Sequence, residues 1–378
     1  MSVKFKELIK REQDRFIAEK DGYKLFPNAK FVFTKERAEE FARVSLETLI
    51  DDPYFLNMKD FIWPKVKDQL LEFEQERNNR LIHTCAMFGA IGISKTSRLS
   101  ILTYWQLFEL LTTVNMVKYF GVAPDKTSAL IMLSKDASAS KKVTFMDLLP
   151  IIIKSPFIRD YFPPQVDISK LDNNPERLPS ELRFPKKVHL FPGTGHAASV
   201  LGYNVYGGGM DEVNDMQYTD KSKKAKFKEY YSAAEESYRE ILERMNSRFP
   251  YQTLHRAGKK HGFVTLVGQT RYPASFSETI KKQAVALGNE SGIYVTCNSR
   301  WEIHPESEYL SEKFLFDLTN KKVIEIVNKR HNDLGKCLVC ETTLKDWAYQ
   351  ANKGLVCSVD CYKESFKFAG EKHEVEKV

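Results

Sequence analysis

The chain has 378 residues, 42% of them hydrophobic and 28% charged. This is ordinary globular composition, which excludes a disordered or collagen-like chain and suits one large domain, or two, with a small appendage. Lys and Arg outnumber Asp and Glu by 57 to 50, a formal charge of +7, which permits a polyanionic partner without requiring one.

Residues 1–75 read as a mostly helical region leading into the core, punctuated by Pro53 and Pro64, with an amphipathic helix over 65–77. This N-terminus lacks the apolar centre of a secretory signal, and no apolar run in the chain reaches the ~18–20 residues that cross a bilayer. Residues 81–87 (LIHTCAM) read as a buried strand, followed by a glycine-bearing turn and a helix over 95–115. A second strand is expected over 128–133, then a helix over 137–154 that Pro150 must bend or end. Residues 164–186, rich in proline and polar groups, read as loop. Strand signals return at 188–191 and 201–210, a long charged helix is expected over 222–247, and 263–267 and 293–297 supply the last strands. Strands alternating with helices from about 80 to 300 predict an α/β fold, a mostly parallel sheet flanked by helices, with its core over 76–305. Residues 306–335 read as a linker, 336–368 as a small cysteine-bearing module and 369–378 as a charged tail.

The sharpest signal is the loop Gly89, Ala90, Ile91, Gly92, Ile93, Ser94, Lys95, Thr96 between a strand and a helix. It matches the phosphate-binding P-loop template at Gly89, Lys95 and Thr96, and departs from it at Ser94, where a second glycine is expected. Backbone N–H groups of such a loop turn inward around an anion, and the following helix points its positive end at the phosphates. Lys95 would neutralise the outer phosphates of ATP, and the Thr96 hydroxyl would hold Mg²⁺. Ser94 would have to adopt a left-handed conformation, at about 1–2 kcal/mol. A tight turn between core elements, with Lys95 solvated, is the plainer alternative.

A nucleotide hydrolase also needs a metal carboxylate and a base. Asp211 and Glu212 follow a glycine-rich strand, VYGGGM: Asp211 would ligate Mg²⁺ and Glu212 would orient and deprotonate the attacking water. Alone, the pair reads better as a solvated helix cap; paired with the upstream loop, the metal-and-base reading becomes the better one. The three glycines weaken a strand unless a backbone or ligand approaches closely. Gln269 and Thr270 end another strand; they could touch the γ-phosphate or the attacking water and couple hydrolysis to the rest of the fold, or form an ordinary polar strand end. Arg98, Arg244, Arg248 and Arg271 are candidates for stabilising the transferring phosphoryl group, and the sequence does not choose among them.

Four of the six cysteines form two close pairs, Cys337 with Cys340 and Cys357 with Cys361. That spacing is expected of a closed, structural zinc site in a reducing compartment, and zinc would stabilise a segment too small to fold on its own core. It looks like the zinc knuckles of nucleic-acid-binding proteins. Cys85 and Cys297, in apolar strands, read as core residues. The basic run 221–228 (KSKKAKFK) could contact DNA phosphates or begin a solvated helix.

The order GAIGISKT, ALIMLSKDASASKK, VYGGGMDEVND, LVGQTRYPASFSE, with flanking FIWPKVKDQL and SRWE, resembles the ATPase half of the large terminase subunits of tailed bacteriophages over roughly residues 50–305. The resemblance implies an ATP-driven motor that threads double-stranded DNA into a procapsid. Such a motor acts as a homo-oligomeric ring with a portal protein and a small terminase subunit, in the cytoplasm of an infected bacterial host and without a membrane. By that likeness Lys95 and Thr96 take the phosphate-loop roles, Asp211 the metal role, Glu212 the catalytic-base role, and Gln269 and Thr270 the coupling role. The region of Phe61, Trp63 and Pro64 lies where the family contacts adenine, so Trp63 could stack on a base or serve as a core anchor. Ser94 departs from the family pattern. Only 77 residues follow Trp301, short of a domain of ~100–150 residues, so no complete nuclease domain is expected. Two other readings stand beside the motor: a non-hydrolysing nucleic-acid-binding or assembly protein with a degenerate loop, and a helicase-like translocase.

Overall fold

The structure, a computed structural model, describes residues 28–123, 126–165, 181–194, 203–216, 218–220, 230–269, 275–305, 313–317, 322–327, 349–351 and 354–356. The chain divides into two units, Met1–His304 and Pro305–Val378.

In the first unit, short helices α1 (Lys35–Phe41) and α2 (Leu46–Asp51) precede α3 (Pro64–Asn79). The Thr34 and Ser45 side chains accept the backbone N–H groups of Arg37 and Thr48, satisfying donors that a helix start leaves open. Pro64 opens α3, where its missing N–H costs nothing. Strand β1 (Thr84–Gly89) leads into α4 (Lys95–Thr112), α5 (Met116–Phe120) and β2 (Ser128–Ser134). Then α6 (Ala137–Lys142) continues through a π-helical turn, Val143–Leu148, into α7 (Leu149–Lys154), and α8 (Pro156–Tyr161) follows. Pro150 therefore does not end the helical run. The wider turn precedes it, and the proline sits in the first turn of α7, where no N–H is needed.

Strands β3 (Leu182–Phe184), β4 (Val188–Thr194) and β5 (Asn204–Met210) come next. An antiparallel pair, β6 (Tyr218–Asp220) and β7 (Tyr230–Ser232), leads to α9 (Ala233–Arg248) and α10 (Tyr251–Arg256). The charged helix expected over 222–247 thus begins only at Ala233, because β7 precedes it; the basic run 221–228 lies outside the described residues. Strand β8 (Val264–Gly268), α11 (Phe276–Leu287), β9 (Ile293–Asn298) and α12 (Arg300–Ile303) complete the unit.

Seven strands form one sheet in the order β3-β4-β2-β5-β8-β1-β9. Every pairing is parallel except that of the edge strand β3 with β4, so the expected α/β architecture is present. Strand β3 lies in the stretch read as loop: Leu182 and Phe184 are buried and Arg183 is exposed, a period-two pattern too short to stand out. Cys85 is buried as expected, whereas Cys297 is exposed, because β9 is the opposite edge strand.

Central strand β2 is buried at every position, as a parallel strand covered on both faces must be. One face packs on α4, α3 and the N-terminal segment with its helices, whose Phe33, Phe41, Leu46 and Leu49 share a core with Leu102 and Phe108. Because α4 has the sheet on one side and these helices on the other, all its residues from Arg98 to Thr112 are buried. Its Glu109 carboxylate is bridged by both terminal nitrogens of Arg77 at 2.9 and 3.0 Å and accepts the Tyr206 hydroxyl at 3.2 Å. The end of α4 is closed by Lys186, which donates to the carbonyls of Leu111 and Thr113 at 2.5 and 2.9 Å and lies over the Phe33 ring. The other sheet face packs on Tyr238, Ile241 and Met245 of α9 and Phe276 and Ile280 of α11.

The second unit contains two antiparallel hairpins, β10 (Lys313–Asp317) with β11 (Lys322–Val327), and β12 (Tyr349–Ala351) with β13 (Gly354–Val356). The first falls within the stretch expected as a linker. Cys337, Cys340, Cys357 and Cys361 lie outside the described residues. Among the described residues no helix is long and apolar enough to cross a membrane.

Candidate nucleotide site

The loop begins where β1 ends against β9. Gly89 is paired with Asn298, and the Ala90 N–H donates to the Asn298 carbonyl at 3.1 Å. Gly89 has φ +140°, and a Cβ there would lie 2.0 Å from that carbonyl oxygen, so only glycine fits. Ser94 adopts φ 60°, ψ 33°, the left-handed conformation its place in the loop demanded. Buried Ile93 anchors the loop in the core, and Ile91 is exposed. The Ser94 side chain does not cap α4, whereas Ser45 and Asp136 cap their own helices. The first N–H groups of this 18-residue helix are therefore not taken by the Ser94 hydroxyl, and its positive end faces the loop. Lys95 Nζ donates to the carbonyls of Gly89 and Ala90, at 3.1 and 2.5 Å, which sets the ammonium across the loop.

The glycines of β5 bring the acids to the same place. A Cβ at Gly209 would lie 2.2 Å from Leu99 Cδ1, and one at Gly207 would lie 1.9 Å from Gln106 Oε1. Their absence lets α4, the helix that starts at the loop, rest directly on the strand that ends in Asp211. The Asp211 N–H donates to Leu133 O at 2.8 Å. Burial raises the Asp211 carboxyl to about 6; the negative charges of Glu212 and Asp147 add to the rise, and the Lys95 ammonium opposes it. The loop lysine and the acid thus lie within one electrostatic site. Glu212 has φ 50°, strained for a side chain of this type, and its Oε2 is 3.4 Å from Lys135 Nζ.

Strand β8 lies between β5 and β1, so its end reaches the gap between acids and loop. There the Gln269 carbonyl accepts from Asn214 Nδ2. Asn214 also donates to Ser277 Oγ at 2.7 Å and accepts the Ser277 N–H at 3.1 Å. It thereby latches the turn after Glu212 to the end of β8 and the start of α11. Thr270 and Arg271 lie outside the described residues. Half-buried Trp63 packs its ring 4.6 Å from that of His304, and His304 Nε2 lies 2.7 Å from the Gly92 carbonyl. Phe61 is exposed. Of the candidate arginines, Arg98 is wholly buried, Arg244 is paired with Glu240, and Arg248 ends α9.

Four site residues escaped the sequence: Lys135, Asp147, Asn214 and His304. Lys135 stands immediately after an apolar strand, which is a usable signal in a parallel sheet, since ligands gather at carboxyl ends of strands. No local pattern marks the others. Among the described residues no group of three or more His, Cys, Asp or Glu is placed to hold a metal ion. Thr96 and Asp211 fit Mg²⁺ in a different way, as two oxygen ligands for an ion that takes the rest from phosphates and water.

A parallel sheet with a Lys-Thr strand–loop–helix, and an acid pair on a strand one place removed, defines a P-loop domain of the nucleotide-triphosphate-binding class. The chain belongs to the family of the N-terminal P-loop domain of the uncharacterized protein MJ0330, whose model matches residues 44–323. No curated protein matches the chain. Among solved structures it is similar to the ATPase domain of the Thermus phage P74-26 large terminase (mutant R139A), at 9% identity and TM-score 0.38, over 64% of this chain and 83% of that one.

Proposed function

We propose that this chain is an ATP-hydrolysing motor subunit that moves double-stranded DNA, corresponding to the ATPase part of a terminase and acting in a homo-oligomeric ring. The observation that carries the hydrolase reading is the packing of α4, the helix that starts at the loop with Lys95, on the glycines of the strand that runs into Asp211, which a mere turn and a mere helix cap would not require. The order of the four sequence segments supports the packaging reading. In it, the loop N–H groups and Lys95 bind the polyphosphate, and Thr96 and Asp211 hold Mg²⁺, which would offset phosphate charge. Glu212 orients and deprotonates water, Asn214 links that turn to the Gln269 strand end, and Trp63 with His304 borders the base. The four C-terminal cysteines hold structural zinc in a module that grips nucleic acid.

ATP binding and hydrolysis by wild type, K95A and E212Q, with and without double-stranded DNA, test this. K95A should lose binding and turnover. E212Q should keep binding and lose turnover by about 10²-fold or more. Unchanged turnover in both ends the assignment. A non-hydrolysing assembly protein is the second reading, favoured by the Glu212–Lys135 pair, which occupies the base. Nucleotide binding without DNA-stimulated phosphate release would select it.

A further inference from the structure

Arg98 is among the largest wholly buried side chains of the described molecule. Its Nε, Nη1 and Nη2 have no hydrogen-bond partner among the described residues, in contrast to Arg77, which is bridged to Glu109. Its electrostatic neighbours are Cys85 and Tyr294. Burial holds both of their acidic groups well above the ordinary range, so neither supplies negative charge at neutral pH. The Tyr294 hydroxyl is itself directed to Glu72, at 2.9 Å. Burial pushes the guanidinium down to about 10, which leaves it charged. An unpaired buried cation is strongly disfavoured, and this one stands at the head of the loop helix. Its N–H closes the first turn on the Ser94 carbonyl at 3.0 Å, and it follows Lys95 by three positions of helix, a rise of ~4.5 Å.

We propose that Arg98 is a positioning charge for the nucleotide, whose counter-charge is the polyphosphate held at the loop. The proposal rests on the nucleotide-site reading above. Arg98 acts through the protein interior without touching a phosphate. It favours the triphosphate over the diphosphate because the former carries more charge, and it is little screened by salt because its surroundings are dry. Unit charges ~10 Å apart at an effective dielectric of ~20 change affinity roughly tenfold.

The test is titration of ATP and ADP into wild type, R98M and R98K, with thermal unfolding of each protein free of nucleotide. R98M should bind ATP about tenfold or more weakly, lose less affinity for ADP, and keep that deficit at ~0.5 M salt. Its nucleotide-free melting temperature should equal or exceed that of wild type. R98K retains the charge and should bind ATP within about threefold of wild type. Unchanged ATP affinity in R98M overturns the proposal. So does an R98M that melts lower than wild type or fails to fold, since Arg98 would then be stabilising the empty fold. K95A separates the two levels of inference: binding lost in K95A but intact in R98M removes only the role of Arg98, whereas binding intact in K95A removes the nucleotide site itself.

Discussion

Asp211→Asn separates the cost of holding a carboxylate at the site from its use. The Asp211 carboxyl is raised from 3.8 to about 6, first by burial and then by Glu212. At neutral pH this corresponds to about 3 kcal/mol of disfavoured ionisation. Because the folded value is the higher one, the protonated carboxyl's contribution to stability is complete below the unfolded value of ~3.9, and it is lost as pH rises through about 6. Asparagine keeps the shape and carries no charge. In urea unfolding without nucleotide or Mg²⁺, D211N should be more stable than wild type by about 1–3 kcal/mol at pH ~7.5, and the two should converge toward pH ~4. Added Mg·ATP should stabilise wild type and not D211N. A D211N protein no more stable at pH ~7.5, or one whose stability runs parallel to wild type across this range, would refute the reasoning.

Two further outcomes can be checked directly. Glu109→Gln breaks a buried bidentate pair and leaves the Arg77 charge uncompensated between Trp105 and Phe263; it should cost about 3–5 kcal/mol in urea unfolding, and a loss below ~1 kcal/mol would show that Arg77 finds another partner. Chain purified without chelator should carry about one zinc ion by metal analysis, and C340S should lose it; a metal-free wild type would dispose of the zinc module.

The phosphate loop was legible in the linear chain because an anion nest is built from consecutive residues. The spacing of Gly89, Lys95 and Thr96, and even the left-handed turn at Ser94, depend on backbone geometry within a few positions. The strands β1, β2, β8 and β9 were legible because each is a short apolar run. Strand β3 was not, since three residues cannot display a period, and neither was the π-helical turn, which lets a proline stay inside a helical run. The exposure of Cys297 depended on which strand became the edge, a property of strand order that periodicity does not carry.

The residue types and spacing of the loop and of the acid pair were thus fixed locally, and so was the alternation that makes a parallel sheet. Tertiary packing alone decided that α4 rests on the glycines of β5, bringing Lys95 to Asp211, that Lys135 meets Glu212, and that His304 lies between Trp63 and Gly92. It alone also decided that Arg98 is enclosed with no hydrogen-bond partner for its guanidinium among the described residues. The reason is one of range: turn and capping preferences act between near neighbours in the chain, whereas strand order and helix burial are settled by the packing of segments far apart in it.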